Sequence, residues 1–84
     1  IDQWKKEIKN GIIICISSFD DKVGVAVGVS KNLTSKFDAV YLAKIASEIL
    51  GGKGGGGRKD FAQAGGTNKE KIDDAFKAID KKIS

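Results

Sequence analysis

Residues 51–66, GGKGGGGRKDFAQAGG, decide the fold, because they sit between two segments that read as helices and read as a glycine-rich loop that joins them. Eight of these sixteen residues are glycine, out of eleven glycines in a chain of 84 residues. Ordering glycine costs more backbone entropy than ordering any other residue. The segment must therefore return something, either close packing of backbone or access for a ligand.

Upstream, residues 38–50 carry Ala39, Leu42, Ala43, Ala46 and Leu50 at helical spacing, and Gly51-Gly52 closes the helix. Ser35, three residues before Asp38, gives a capping-box match. Downstream, Thr67-Asn68-Lys69-Glu70 fits a second capping box, followed by an apolar stripe of Ile72, Ala75, Phe76, Ile79 and Ile83.

The amino-terminal half reads as a hairpin. Residues 12–17, IIICIS, form a β-branched run suited to a strand covered on both faces. Turn residues 19–22, FDDK, follow. Val23, Val25, Val27 and Val29 then alternate with Gly24, Ala26 and Gly28. The valines belong to the core, and the small face admits a helix or another backbone. Residues 30–36, SKNLTSK, are a polar connector. Residues 2–10, DQWKKEIKN, place Trp4 and Ile8 at i and i+4 and read as the last turns of a truncated helix stopped by Gly11.

The expected class is a small single α+β (α/β) domain over residues 1–84, in the order α-β-β-α-glycine loop-α. Its short mixed or antiparallel sheet packs against helices. Two strands are few for a stable sheet, so a short third strand around residues 61–64 or one supplied by a longer parent is expected. A chain that lacks Met and begins at Ile1 points to such a parent. An 84-residue domain buries only about 60% of its unfolded surface.

Composition excludes several functions. With no His and one Cys, in an apolar run, neither a zinc site nor a Ser-His-Asp or Cys-His arrangement can be assembled. Cys15 reads as a buried thiol of a reducing, cytoplasmic compartment. No apolar run approaches a membrane span of about 18 residues. Gly52 to Gly57 satisfies G-x-G-x-x-G, but a helix precedes it where a strand is required, and Arg58-Lys59-Asp60 stands where a P-loop needs its Lys-Ser/Thr pair. No residue is assigned a catalytic role.

Charge points toward a polyanion. The net charge is +4; residues 1–50 carry seven Lys/Arg against six Asp/Glu, and residues 51–84 carry eight against five. Glycine amides without a neighbouring Cβ can form a concave anion nest, flanked by Lys53, Arg58 and Lys59. Gly65-Gly66 leads toward a helix N-terminus whose free amides favour phosphate. The alternative is structural, with glycines that only permit tight turns and packing on the small strand face.

The stretch GGKGGGGRKDFAQAGG resembles the glycine-rich signature of the C-terminal domain of alanyl-tRNA synthetases, a domain class also appended to Asp-His-His phosphoesterases. VGVAVGV, VSKNLT and the flanking helices extend the resemblance over nearly the whole chain. Phosphoesterase versions usually carry His where Arg58 stands and a shorter ending than AQAGG, residues 62–66, so both features favour the synthetase. Lys59 stands where Pro is common, and Phe61 where Met is common.

The resemblance implies an accessory, non-catalytic domain that binds alanine-specific tRNA at the outer corner of its L. The domain would support aminoacylation and editing by the parent, with ATP and zinc held elsewhere in that parent and no cofactor here. It implies other domains of the parent as partners, and possible dimer contacts. The residues expected to meet tRNA are Lys53, Gly54, Gly55, Gly56, Gly57, Arg58 and Lys59, with Gln63 toward a sugar or base edge and Lys31 as a further phosphate contact. Asp60 is expected to orient Arg58 or cap the turn. Tyr41 and Trp4 are the aromatics considered for exposure, and with so few, recognition by shape and backbone is expected. The competing functions are an assembly module, and a phosphoesterase domain that grips single-stranded nucleic acid.

Overall fold

A computed structural model of the chain describes residues 3–9, 11–52 and 54–83. Five strands and two helices follow one another as β1 (Gln3–Lys9), β2 (Ile12–Phe19), β3 (Lys22–Val29), α1 (Ala39–Ile49), β4 (Gly54–Arg58), β5 (Phe61–Gly66) and α2 (Ile72–Ile83). Short 3-10 turns at Lys31–Leu33 and Lys69–Lys71 lead toward the helices. The strands form one sheet in the order β1-β2-β3-β5-β4, with every neighbouring pair antiparallel. The α+β class holds, and the order of elements changes at two places.

The first change is β1. Residues 2–10 were expected to end a helix, but Gln3–Lys9 is a strand paired along its length with β2, from Gln3 opposite Ser18 to Lys9 opposite Ile12. An isolated helix of this length is marginal in water. Pairing with β2 instead satisfies a whole row of backbone groups that would otherwise form an open edge.

The second change is the glycine stretch. It is no loop: β4 and β5 form a hairpin joined by Lys59-Asp60, and β5 docks on β3. The strand expected around residues 61–64 is present and runs on to Gly66. Among the described residues the sheet therefore has five strands.

Both helices contribute to a single core on one face of the sheet. Ile12, Ile14 and Ile16, the four valines of β3 and Ala62 meet Leu42, Ala46 and Leu50 of the α1 segment and Phe76, Ile79 and Ile83 of α2, all buried. The valine face is core, as its alternation indicates. Strand β2 departs from expectation. It is covered on one face only, so Ile13 stays 46% exposed and Cys15 is half-buried rather than enclosed.

The caps differ from their sequence matches. Asp38, not Ser35, caps α1: its carboxylate accepts from Val40 N at 2.9 Å. The Thr67 box does not close. Thr67 N and Asn68 N both donate to Leu50 O, and the Lys69–Lys71 turn starts with no side-chain cap bond. Removing the Asp38 cap in an Asp38→Ala variant is expected to cost about 1 kcal/mol, read as a lower urea midpoint at unchanged slope. Among the described residues, no helix is long and apolar enough to cross a membrane.

Candidate nucleic-acid interface

The β4–β5 hairpin is fastened by main-chain bonds at its tip. Lys59 O accepts from Ala39 N, the first residue of α1, at 2.9 Å, and Asp60 O accepts from Val29 N, the last residue of β3, at 2.8 Å. Asp60 thus acts on the turn through its carbonyl. These bonds hold the backbone of the tip while the side chains of Arg58 and Lys59 stay exposed.

The same bonds gather other cations. Val29 leads directly into the 3-10 turn carrying Lys31, and the connector from that turn to Ala39 carries Lys36; both lysines are exposed. Lys31, Lys36, Arg58 and Lys59 therefore share one end of the sheet. Of the acids nearby in sequence, Asp38 spends its carboxylate on Val40 N. Sequence reasoning missed Lys36. The bond between Ala39 N and Lys59 O brings its connector to the hairpin.

The hairpin's base is tied to the helices. Ser47 Oγ donates to Gly65 O at 2.6 Å, and Gly52 N donates to Ser47 O at 2.8 Å. Gly65 and Gly66 are β5 residues opposite Gly24 and Val23. Of the amides leading from these glycines toward the last helix, Thr67 N and Asn68 N are taken by Leu50 O and Lys71 N by Asn68 O. Among the described residues, the expected nest is not formed. Gly54 to Gly57 are in a strand, and an extended strand cannot curl its amides around one anion.

The glycines separate by what surrounds them. At Gly52, Gly55, Gly57 and Gly66 an added Cβ would run into the backbone of Gly65, Gln63, Phe61 and Leu50 respectively. These four have a structural reason to be glycine. Gly28 and Gly56 have none of this kind, since no atom lies within 4 Å of where their Cβ would stand. Close backbone approach thus accounts for glycine at those four positions but not at Gly28 or Gly56.

Among the residues assigned to tRNA from the sequence, Arg58, Lys59 and Lys31 come together at the hairpin tip. Gly55, Gly56 and Gly57 are exposed along β4, and Gly54 lies at its far end opposite Gly65. Gln63 is exposed on the sheet face that carries no helix. Lys53 lies outside the described residues. Of the two aromatics considered, Tyr41 is 52% exposed on α1, whereas Trp4 is placed only by its pairing with Ser17. Phe61 was not assigned a contact with RNA, yet it is 47% exposed on the same open face as Gln63. The alternation of FAQAGG, with Phe61 and Gln63 on one side and Ala62 on the other, was the available signal.

The DHHA1 domain family matches residues 1–84. The chain is 48% identical over 84 residues to the alanine–tRNA ligase of Bradyrhizobium diazoefficiens and 46% identical over 79 residues to that of Hyphomonas neptunium. These alignments cover 99% and 94% of the chain but only 9% of each ligase. Among solved structures, the chain resembles the C-Ala domain of alanyl-tRNA synthetase from Aquifex aeolicus. The TM-score is 0.77 at 36% identity, covering 82% of this chain and 61% of that one.

Proposed function

Because the chain belongs to the DHHA1 domain family, we propose that it serves an alanyl-tRNA synthetase as an accessory domain that binds alanine-specific tRNA through the β4–β5 hairpin. The observation that carries this reading is the hairpin tip, where Arg58 and Lys59 are exposed on a turn bonded through Lys59 O and Asp60 O. A held turn loses little freedom on binding, so its cations meet phosphates at low entropic cost. Lys31 and Lys36 widen the same basic end. The exposed strand Gly55 to Gly57 carries no side chain that would keep a sugar-phosphate backbone at a distance.

In this reading the domain contributes position, not chemistry. It grips the outer corner of tRNA, so that aminoacylation and editing by other parts of the parent act on one bound molecule, in the cytoplasm. The charge pattern and the sequence likeness to alanine–tRNA ligases both support it.

The test is a titration of labelled alanine tRNA with this chain at several salt concentrations. Neutralising three phosphates gives log K against log salt a slope of about −2 to −3. A slope near zero, or no binding at low salt, overturns the proposal. Single-stranded DNA competing as well as tRNA would move the reading to the phosphoesterase type.

A further inference from the structure

The helices leave one face of the sheet uncovered, and the strand register orders its side chains into rows. One row runs Ile8, Ile13, Gly28, Phe61, Arg58, each the direct partner of the next across all five strands. Directly opposed residues of antiparallel neighbours project to the same side, with Cβ atoms about 4.5–5.5 Å apart. Ile8, Ile13 and Phe61 are 65%, 46% and 47% exposed. Gly28 interrupts them, so a flat patch is open beside the Phe61 side chain. Glycine weakens a strand interior, and no packing demands it at Gly28.

Beyond this row the face sinks into a depression of about 230 Å3 lined by Cys15, Ala26 and Gln63 among others. By register, the cations Lys6, Lys22 and Arg58 stand on this face, at its two outer strands and at one end of β3. Among the described residues, no strand residue on this side is a carboxylate; Asp20 and Asp21 occupy the β2–β3 turn, at the end away from Phe61. An apolar, partly aromatic surface edged by cations complements a planar ring joined to an anion.

We propose that this open face takes an unstacked nucleotide of an RNA loop. The base stacks on Phe61 over the gap at Gly28, its edge meets the Gln63 amide, and its phosphate meets Arg58. The inference rests on the tRNA reading above and extends it from backbone contact at the hairpin to base contact on the sheet. Base–aromatic stacking is tolerant of sequence because every base has a π-face, so this contact adds affinity more than base choice.

The experiment measures anisotropy of labelled alanine tRNA transcript with wild type, Phe61→Leu, Phe61→Trp, Gly28→Val and Arg58→Ala, each checked for melting temperature. Phe61→Leu keeps apolar bulk but removes the ring, and should raise Kd about 5- to 20-fold, with Phe61→Trp restoring it. Gly28→Val fills the gap and should act in the same direction with an unchanged melting temperature. If Arg58→Ala weakens binding while Phe61→Leu and Gly28→Val bind as wild type, the hairpin reading stands and the stacking face is wrong. Absence of binding by wild type removes both. Self-association of wild type that Gly28→Val abolishes, with RNA affinity unchanged, makes the face a protein interface and overturns the proposal.

Discussion

Gly55→Val is expected to lower the melting temperature by about 10–20 °C, whereas Gly56→Val, one residue along, should change it by less than about 3 °C. The difference follows from which side of β4 each residue presents. Gly55 pairs with Ala64 on the helix-facing side, and a Cβ there would overlap Gln63 O and stand 2.6 Å from Ala64 Cα. Backbone cannot yield as a side-chain tip can, so β4 must separate from β5 or the hairpin must shift. Overpacking of this kind costs about 3 kcal/mol at the upper end of its usual range, a large part of the several kcal/mol that hold a domain of this size. Gly56 pairs with Gln63 on the open side, where a Cβ meets nothing within 4 Å. Valine also suits a strand better than glycine does. Thermal unfolding followed by circular dichroism separates the two variants directly. Equal destabilisation would show that the strand itself, rather than close approach, requires glycine. If tRNA approaches β4 closely, Gly56→Val should weaken binding while leaving stability intact. That outcome would make Gly56 the glycine retained for contact.

What the sequence made legible depended on whether side chains carried a period. The valine alternation of β3, the stripes of α1 and α2, and the isoleucine run of β2 each mark an element, and each element is present. The segment QWKKEIK is ambiguous by nature. Trp4 and Ile8 are four apart, which suits a helix face, but residues four apart also fall on one face of a strand. The choice is made by the unpaired edge of β2, a tertiary fact. Polyglycine carries no side-chain period at all, so β4 could not be read as a strand. Its conformation is imposed from outside, by β5 on one side and α1 on the other. The cations of the site were visible in the run RKD, but Lys36 was not, since nothing local ties the connector to the hairpin tip. The caps failed for a similar reason. Thr67 had the right spacing for a box, yet its amide was claimed by Leu50 O, a group on the preceding helix that no local pattern reveals.

Reversing both charges at the hairpin tip, Arg58→Glu with Lys59→Glu, should weaken tRNA binding about 100-fold at 50 mM salt and flatten the salt slope by about two units. Both side chains are exposed, and the bonds that hold the turn come from the main chain, through Lys59 O and Asp60 O. A substitution that leaves those carbonyls in place should leave the fold in place. The melting temperature is therefore expected to stay within a few degrees. The slope is the more discriminating readout. A general loss of positive charge anywhere on the domain lowers affinity, but loss of two phosphate contacts lowers the number of counterions released on binding. The same reversal at Lys77 and Lys81, exposed positions on α2, supplies the control with equal net charge. If that control flattens the slope as much as the tip variant does, attraction is diffuse and the hairpin has no privileged contact. If only the tip variant does so, Arg58 and Lys59 each neutralise a phosphate, and the backbone of the turn is what places them.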